Sequence, residues 1–205
     1  MADILAAATR EFADKGFSGA RIDAIAAATA TRKYMIYYHF GSKEALYLAV
    51  LEDVYRGIRE AEKGLHLDEL PPAEALAQLV GFAFDYHHGH PDFVRLVMAE
   101  NINKGEYLAR SDVIRELNQS VIHAVRELYR RGVRQGVFRD GLDPVDIHLS
   151  ISALCFHYVS NRPTFSLIFQ SGEAPGDAVQ KRRASVIELV LRYVVAAQPP
   201  APGLQ

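Results

Sequence analysis

The chain of 205 residues has no tryptophan and a single cysteine, Cys155. One thiol cannot form an internal disulfide, so a disulfide-stapled secreted domain is excluded and a reducing cytoplasm is the expected location. Cys155 sits in apolar "SALCFHY" and reads as a packing residue. No apolar run approaches the roughly 18 residues that argue for a membrane span. The opening "MADILAAATREF" carries acids, unlike a signal peptide, so no membrane partner is expected. The patterns GxSxG, HExxH, GxGxxG and GxxxxGK with Ser or Thr are all missing, which leaves no nucleophile, zinc-protease or phosphate-loop motif. Neither an enzyme nor a cofactor is expected. In "HHGHPD", His87, His88 and His90 cannot all point one way from a helix, and Gly89 and Pro91 make the stretch a loop, so no metal is expected. Net charge is only −2, and global charge therefore says nothing about a polyanionic partner.

What is present is helical periodicity. Ile4, Leu5, Ala8 and Phe12 form one stripe, closed by Gly16 in a C-cap position. Ser18 or Gly19 is expected to open a short second helix with Ile22, Ile25 and Ala26 on one face. "TAT" (29–31) interrupts, and Ile36 and Phe40 mark the inward face of a third. Gly41 stops that helix, and Ser42 caps a fourth bearing Leu46, Val50 and Val54. "LHLDELPP" (65–72) is a linker. Amphipathic segments follow near 73–88, 91–103, 112–135, 144–169 and 176–196, and the proline-rich tail "AQPPAPGLQ" is expected to be disordered. The chain is all-α.

Charge and rings are concentrated near the front. Residues 15 to 43 hold Lys15, Arg21, Arg32, Lys33 and Lys43 against Asp23 alone, whereas the remainder is acidic. A basic head on an acidic body suggests that the head meets phosphate. "TRKYMIYYHFGSK" (31–43) adds Tyr34, Tyr37, Tyr38, His39 and Phe40 within seven positions. Two short helices joined by a tight turn, the second basic and aromatic, make a helix-turn-helix candidate. With Ile36 and Phe40 inward, Lys33, Tyr34 and Tyr37 project where side chains reach base edges. Lysine donates to guanine acceptors, and tyrosine meets a phosphate or a thymine methyl. Lys43 follows Ser42 at a helix N-terminus, where free N–H groups favour phosphate. The plain alternative is a solvated polar face beside a core.

The stretch from Ile4 to about Leu51 resembles the DNA-binding region of the tetracycline-repressor (TetR) family of bacterial transcription regulators. "ILAAATREFADKGF" looks like its first helix, "RIDAIAAA" its second, and "IYYHFGSKEALYLAVL" its recognition helix and the start of the fourth. The resemblance implies a helical homodimer of about nine helices per subunit on a double-stranded inverted-repeat operator, released by a small-molecule effector. It implies a helix-turn-helix DNA-binding domain over 1–46 and an effector-binding and dimerisation domain over 47–198. Tyr37, His39, Lys43 and Arg21 fall where the family contacts the DNA backbone; Lys33, Tyr34 and Met35 fall where base contacts vary. Arg32 and Tyr38 complete the DNA-binding candidates. Three positions depart from the family. Ala30 stands at its usual turn glycine, and Tyr34 at a position often small. Arg32 stands at its usual helix cap, so Thr29 or Thr31 is expected to cap instead.

In the body, "PVDIHLSISALCFHYVS" (144–160) has two usable faces and "ASVIELVLRYVV" (184–195) is apolar nearly all round. Such a pair buries surface against its own subunit and a second copy. Polar groups in apolar surroundings are effector candidates: His87, His88, Asn101, His123 and His157, with Phe84, Met98, Tyr107 and Phe156 as ring and thioether lining. The competing reading is a helical, dimeric small-molecule-binding protein without DNA binding.

Overall fold

The computed structural model describes residues 1–169 and 175–196. Ten α-helices lie among them, and the sole β-type pairing is an isolated bridge between Phe138 and Val195. The expected tail, 197–205, and most of the preceding turn at 170–176 lie outside the described residues.

Helix α1 (Ala2–Gly19) buries Ile4, Ala7, Ala8 and Phe12, and its helical path breaks at Gly16, whose φ of 67° is open to glycine. Helix α2 (Ile22–Ala28) starts later than Ser18 or Gly19. The Glu11 carboxylate on α1 accepts the Arg21 N–H at 3.0 Å and fixes that entry. The turn after α2 closes as a Schellman motif: Thr31 N–H donates to the Ala26 carbonyl at 3.0 Å and Ala30 N–H to Ala27 at 3.4 Å. Ala30 takes the left-handed position with φ of 49°, where a glycine costs least.

Helix α3 (Lys33–Phe40) has Arg32 at its N-cap and no side-chain cap. The expected cap from Thr29 is not made, because its hydroxyl donates back to the Ile25 carbonyl at 3.0 Å. Gly41, with φ of 81°, ends the helix. Helix α4 (Lys43–Lys63) is capped by Ser42, whose Oγ accepts the Ala45 N–H at 3.1 Å.

After the linker come α5 (Pro72–Gly89), α6 (Pro91–Ile102) and α7 (Asp112–Arg134). The single segment expected over 144–169 is two helices, α8 (Pro144–Ser160) and α9 (Arg162–Phe169). Pro163 has no N–H to donate and its ring clashes with a helical carbonyl one turn back, so the first helix ends at Asn161. Helix α10 (Pro175–Val194) completes the body. It is not uniformly buried: Val186 and Val190 face inward at 0% and 2% exposure, while Leu189 is 48% exposed.

Two large cores result. The body core joins α5, α7, α8 and α10 around Leu76, Phe84, Val125, Ile147 and Val190. The head core joins Phe12, Ile25, Ile36 and Leu46 to Leu96, Tyr107 and Ile114 of the body. It is therefore continuous across the boundary expected at residue 46. One polar tie crosses that seam, from α1 to α6, and two more hold the first half of α4, which packs in the head core, to the body. Arg95 pairs with Asp14, Ser111 Oγ donates to Glu52 at 2.6 Å, and Tyr47 donates to the buried Glu100 at 3.0 Å.

Candidate nucleic-acid interface and effector cavity

The head presents α3 outward. Ile36 is 1% exposed and anchors the helix, which turns Tyr34, Tyr37 and Tyr38 at i, i+3 and i+4 into solvent at 61%, 40% and 77% exposure. Rings so exposed contribute nothing to the core and present both π faces and hydroxyls. Arg21, Arg32, Lys33 and His39 are exposed around them, whereas Met35 and Lys43 are half-buried. Lys33 Nζ lies 3.1 Å from the Asp23 carboxylate, a solvent-exposed pair between α3 and α2. Such a pair is weak and readily exchanged for another anion. Lys43 Nζ lies 4.9 Å above the Phe17 ring, which leaves its charge at the start of α4.

Phe17 leads inward to an aromatic knot. Its ring is 4.7 Å from Tyr107 and 5.3 Å from Tyr47, and Tyr47 and Tyr107 meet edge to face at 5.0 Å. Beneath the knot Glu100, 1% exposed, also accepts the N–H groups of Tyr107 and Leu108 at 3.1 Å each. Burial and the Glu100 charge push the Tyr47 hydroxyl well above its ordinary range, so it remains a donor.

A cavity of about 310 Å³ lies between α4, α5, α6, α7 and α8. Tyr55, Phe82, Phe93 and Phe156 supply rings, and Arg59, Glu62, His87, Asn101, Asn118 and His148 supply polar groups. Arg59 is 8% exposed and donates from Nη1 to Glu62 at 2.6 Å. Burial lowers the Arg59 pKa and raises that of Glu62. Burial brings the His87 imidazole down to about 4, so it is neutral at physiological pH; burial and the Arg59 charge lower His148 as well. A second hollow of about 390 Å³ shares Arg59 and Glu62 but is bordered by Lys63, His66, Glu127 and Arg134. Its largely charged lining, without aromatic rings, fits a solvated groove better than a small-molecule site.

Of the effector candidates, the cavity wall brings together Asn101 and Phe156, along with the neighbouring His87. Six others lie elsewhere. Phe84 is wholly buried in the body core and stacks 5.4 Å from Tyr158. Met98 packs beside Ile58, Phe93 and Val94, outside the wall. Tyr107 belongs to the aromatic knot at the head. His123 and His157 are on exposed helix faces, and His88 is half-buried one position beyond His87, turned away from the same wall. Sequence reasoning missed Tyr55, Arg59 and Glu62. Their signal was present: together with Ile58 they fall at i, i+3, i+4 and i+7, so the charges share the apolar side of α4.

A helix-turn-helix with an exposed basic and aromatic second helix, seated on a helical body with a ring-lined cavity, has the form of a DNA-binding regulator. Two family models agree. "Bacterial regulatory proteins, tetR family" matches residues 4–50 and "Tetracyclin repressor-like, C-terminal domain" matches residues 72–190. The chain belongs to the tetR family of bacterial regulatory proteins.

It is similar to the HTH-type transcriptional repressor NicS of Pseudomonas putida, 36% identical over 190 residues, which are 93% of this chain and 90% of NicS. The repressor SCO4008 of Streptomyces coelicolor is 29% identical, with 87% and 88% of the two chains covered. Among solved structures, SCO4942 of Streptomyces coelicolor, described as a candidate transcriptional regulator, superposes with a TM-score of 0.73 at 29% identity over 98% of both chains. FadR of Bacillus subtilis, solved with stearoyl-CoA, shares the fold at TM-score 0.68 and 18% identity over 93% of this chain and 97% of that one.

Proposed function

We propose that this regulator is a cytoplasmic repressor, a homodimer that holds an inverted-repeat operator and lets go when a small molecule fills the body cavity. Residues 1–46 carry the DNA contacts and 47–198 the effector and dimer contacts. Arg21, Tyr37, His39 and Lys43 grip phosphates, Arg32 and Tyr38 flank them, and Lys33, Tyr34 and Met35 face the bases. The exposed Val145 and Leu149 of α8 and Leu189 of α10 supply the apolar face for a second copy.

One observation carries the mechanism. Helix α4 begins at Lys43 beside the recognition helix and reaches the cavity wall at Tyr55, Arg59 and Glu62. At 1.5 Å rise per residue the two ends of that lever are about 24 Å apart. A ligand that binds one setting of α4 better than another shifts the separation of the two heads, and half-sites about 34–36 Å apart no longer match both. Linkage then requires effector and operator to weaken each other by the same factor, typically about 1–3 kcal/mol.

The test is a gel shift and anisotropy titration against DNA upstream of the protein's own gene, with and without effector. Equal effector affinity for free and operator-bound protein would sink the mechanism. Absence of any specific shift would favour the reading as a dimeric binding protein that no longer recognises DNA.

A further inference from the structure

Among the described residues the buried Nε of Arg59 has no hydrogen-bond partner, and Nδ1 of His87 has only a marginal approach to the Ala83 carbonyl of its own helix. Both residues are more than nine-tenths buried, and both line the same cavity. A buried polar atom without a full partner is costly, and two beside one hollow favour a ligand that brings polar groups of its own.

The chemistry of the missing partner follows from what remains. Arg59 Nη1 is taken by Glu62, which leaves Nε without a partner among the described residues. An N–H of arginine only donates, and its fork geometry matches a carboxylate. Arg59 is the one permanent cation in the wall, and Glu62 is the one carboxylate, already spent on it. His87 and His148 are neutral, which adds no second positive charge. A dianion would be under-compensated there, and a cation would face Arg59. The walls are flat rings: Tyr55 meets Phe93 edge to face at 5.4 Å, and His87 lies 5.8 Å from Phe93 and 5.7 Å from Phe156. About 310 Å³ suits a small ring system and is at the low end for ligand pockets.

We propose that the cavity takes a small planar aromatic monocarboxylate, its carboxylate on the Arg59 guanidinium and its ring against Phe82, Phe93 and Phe156. The His87 imidazole is left for a polar substituent on that ring. The assignment rests on the reading of this cavity as the effector site, and it adds the ligand class. It also places the charge that the ligand grips on α4 itself, so the carboxylate pulls on the helix that carries Lys43.

The experiment is calorimetric titration of the full-length protein with benzoate and 2-naphthoate, beside the uncharged benzamide and 2-naphthamide. At least one acid should bind saturably, and on the order of ten- to a hundredfold more tightly than its amide, the range expected for a charge-assisted contact. Arg59→Met should abolish that preference. Because it strands Glu62, the paired change Arg59→Met with Glu62→Gln is measured alongside, and it too should bind acid and amide alike. Amides binding as well as acids, an acid preference that survives both variants, or no acid binding at millimolar concentration would overturn the proposal. Anisotropy on operator DNA separates this from the effector reading. Acids that bind through Arg59 without loosening DNA would refute the effector role and leave the ligand class standing. Neutral aromatics that loosen DNA would do the reverse.

Discussion

Glu100 is the buried acceptor that ties the head to the body, and its removal gives the sharpest test of that seam. Its carboxylate accepts from Tyr47 Oη at 3.0 Å and from the N–H groups of Tyr107 and Leu108 at 3.1 Å each. Glu100→Ala strands these donors. Tyr107 N–H and the Tyr47 hydroxyl lie in buried surroundings, and each unpartnered donor costs about 1–3 kcal/mol. The Leu108 N–H is half-buried and can find water, which limits its share. Removing a carboxylate that has no ion-pair partner among the described residues returns part of the loss. A net destabilisation of roughly 2–4 kcal/mol is expected, a large share of a typical 5–15 kcal/mol stability.

Glu100→Gln keeps one oxygen for the two backbone donors and turns an amide N–H to the Tyr47 hydroxyl, which can accept it. Its cost should stay within about 1 kcal/mol, since every bond is kept though none is charge-assisted. The assay is urea unfolding followed by circular dichroism at one fixed protein concentration, because a dimer's midpoint moves with concentration. If glutamine costs as much as alanine, hydrogen-bond satisfaction is not what Glu100 supplies. If alanine costs under about 0.5 kcal/mol, below the contribution of one ordinary hydrogen bond, the seam does not depend on it.

Four further outcomes are expected. Ala30→Gly should raise stability by about 0.5–1 kcal/mol by relieving the left-handed φ at the helix-turn-helix corner; thermal or urea unfolding with no gain would contradict the Schellman geometry. Lys43→Ala should weaken operator binding equally across operator variants and make the salt slope shallower by about one unit per lost contact, two per dimer, in anisotropy titrations. Leu149→Asp should convert the dimer to a folded monomer by light scattering, because Leu149 is 62% exposed within its own subunit; a monomeric unmodified protein would refute the interface. Finally, burial holds His87 at about 4 in the folded chain, against 6.5 for its ordinary value. The unfolded chain therefore binds a proton first as pH falls, and stability is lost between pH 6.5 and about 4. In His87→Gln that stretch of the pH–stability curve should flatten by up to about 1.4 kcal/mol per pH unit.

The helices were legible locally because each carries its own signals. Apolar residues recur at the helical period in α1, α2 and α4, Ser42 caps α4, and Gly16 and Gly41 take the positive φ that stops a helix. The recognition face was legible for the same reason: once Ile36 turns inward, the period alone turns Tyr34, Tyr37 and Tyr38 outward. Side-chain polarity, by contrast, does not say which hollow a residue meets. His157 and His87 both stand in apolar runs, yet one faces solvent and the other an internal cavity, because α8 and α5 show opposite sides to their neighbours. Tyr107 joined the head instead of the cavity through its contacts with Phe17 and Tyr47, ninety and sixty residues away in sequence. Arg59 and Glu62, at i and i+3, share the apolar side of α4 with Tyr55 and Ile58, but that pattern alone does not say what covers them. Only the closure of α5, α6 and α8 over α4 took them out of water and left Nε of Arg59 buried without a partner among the described residues.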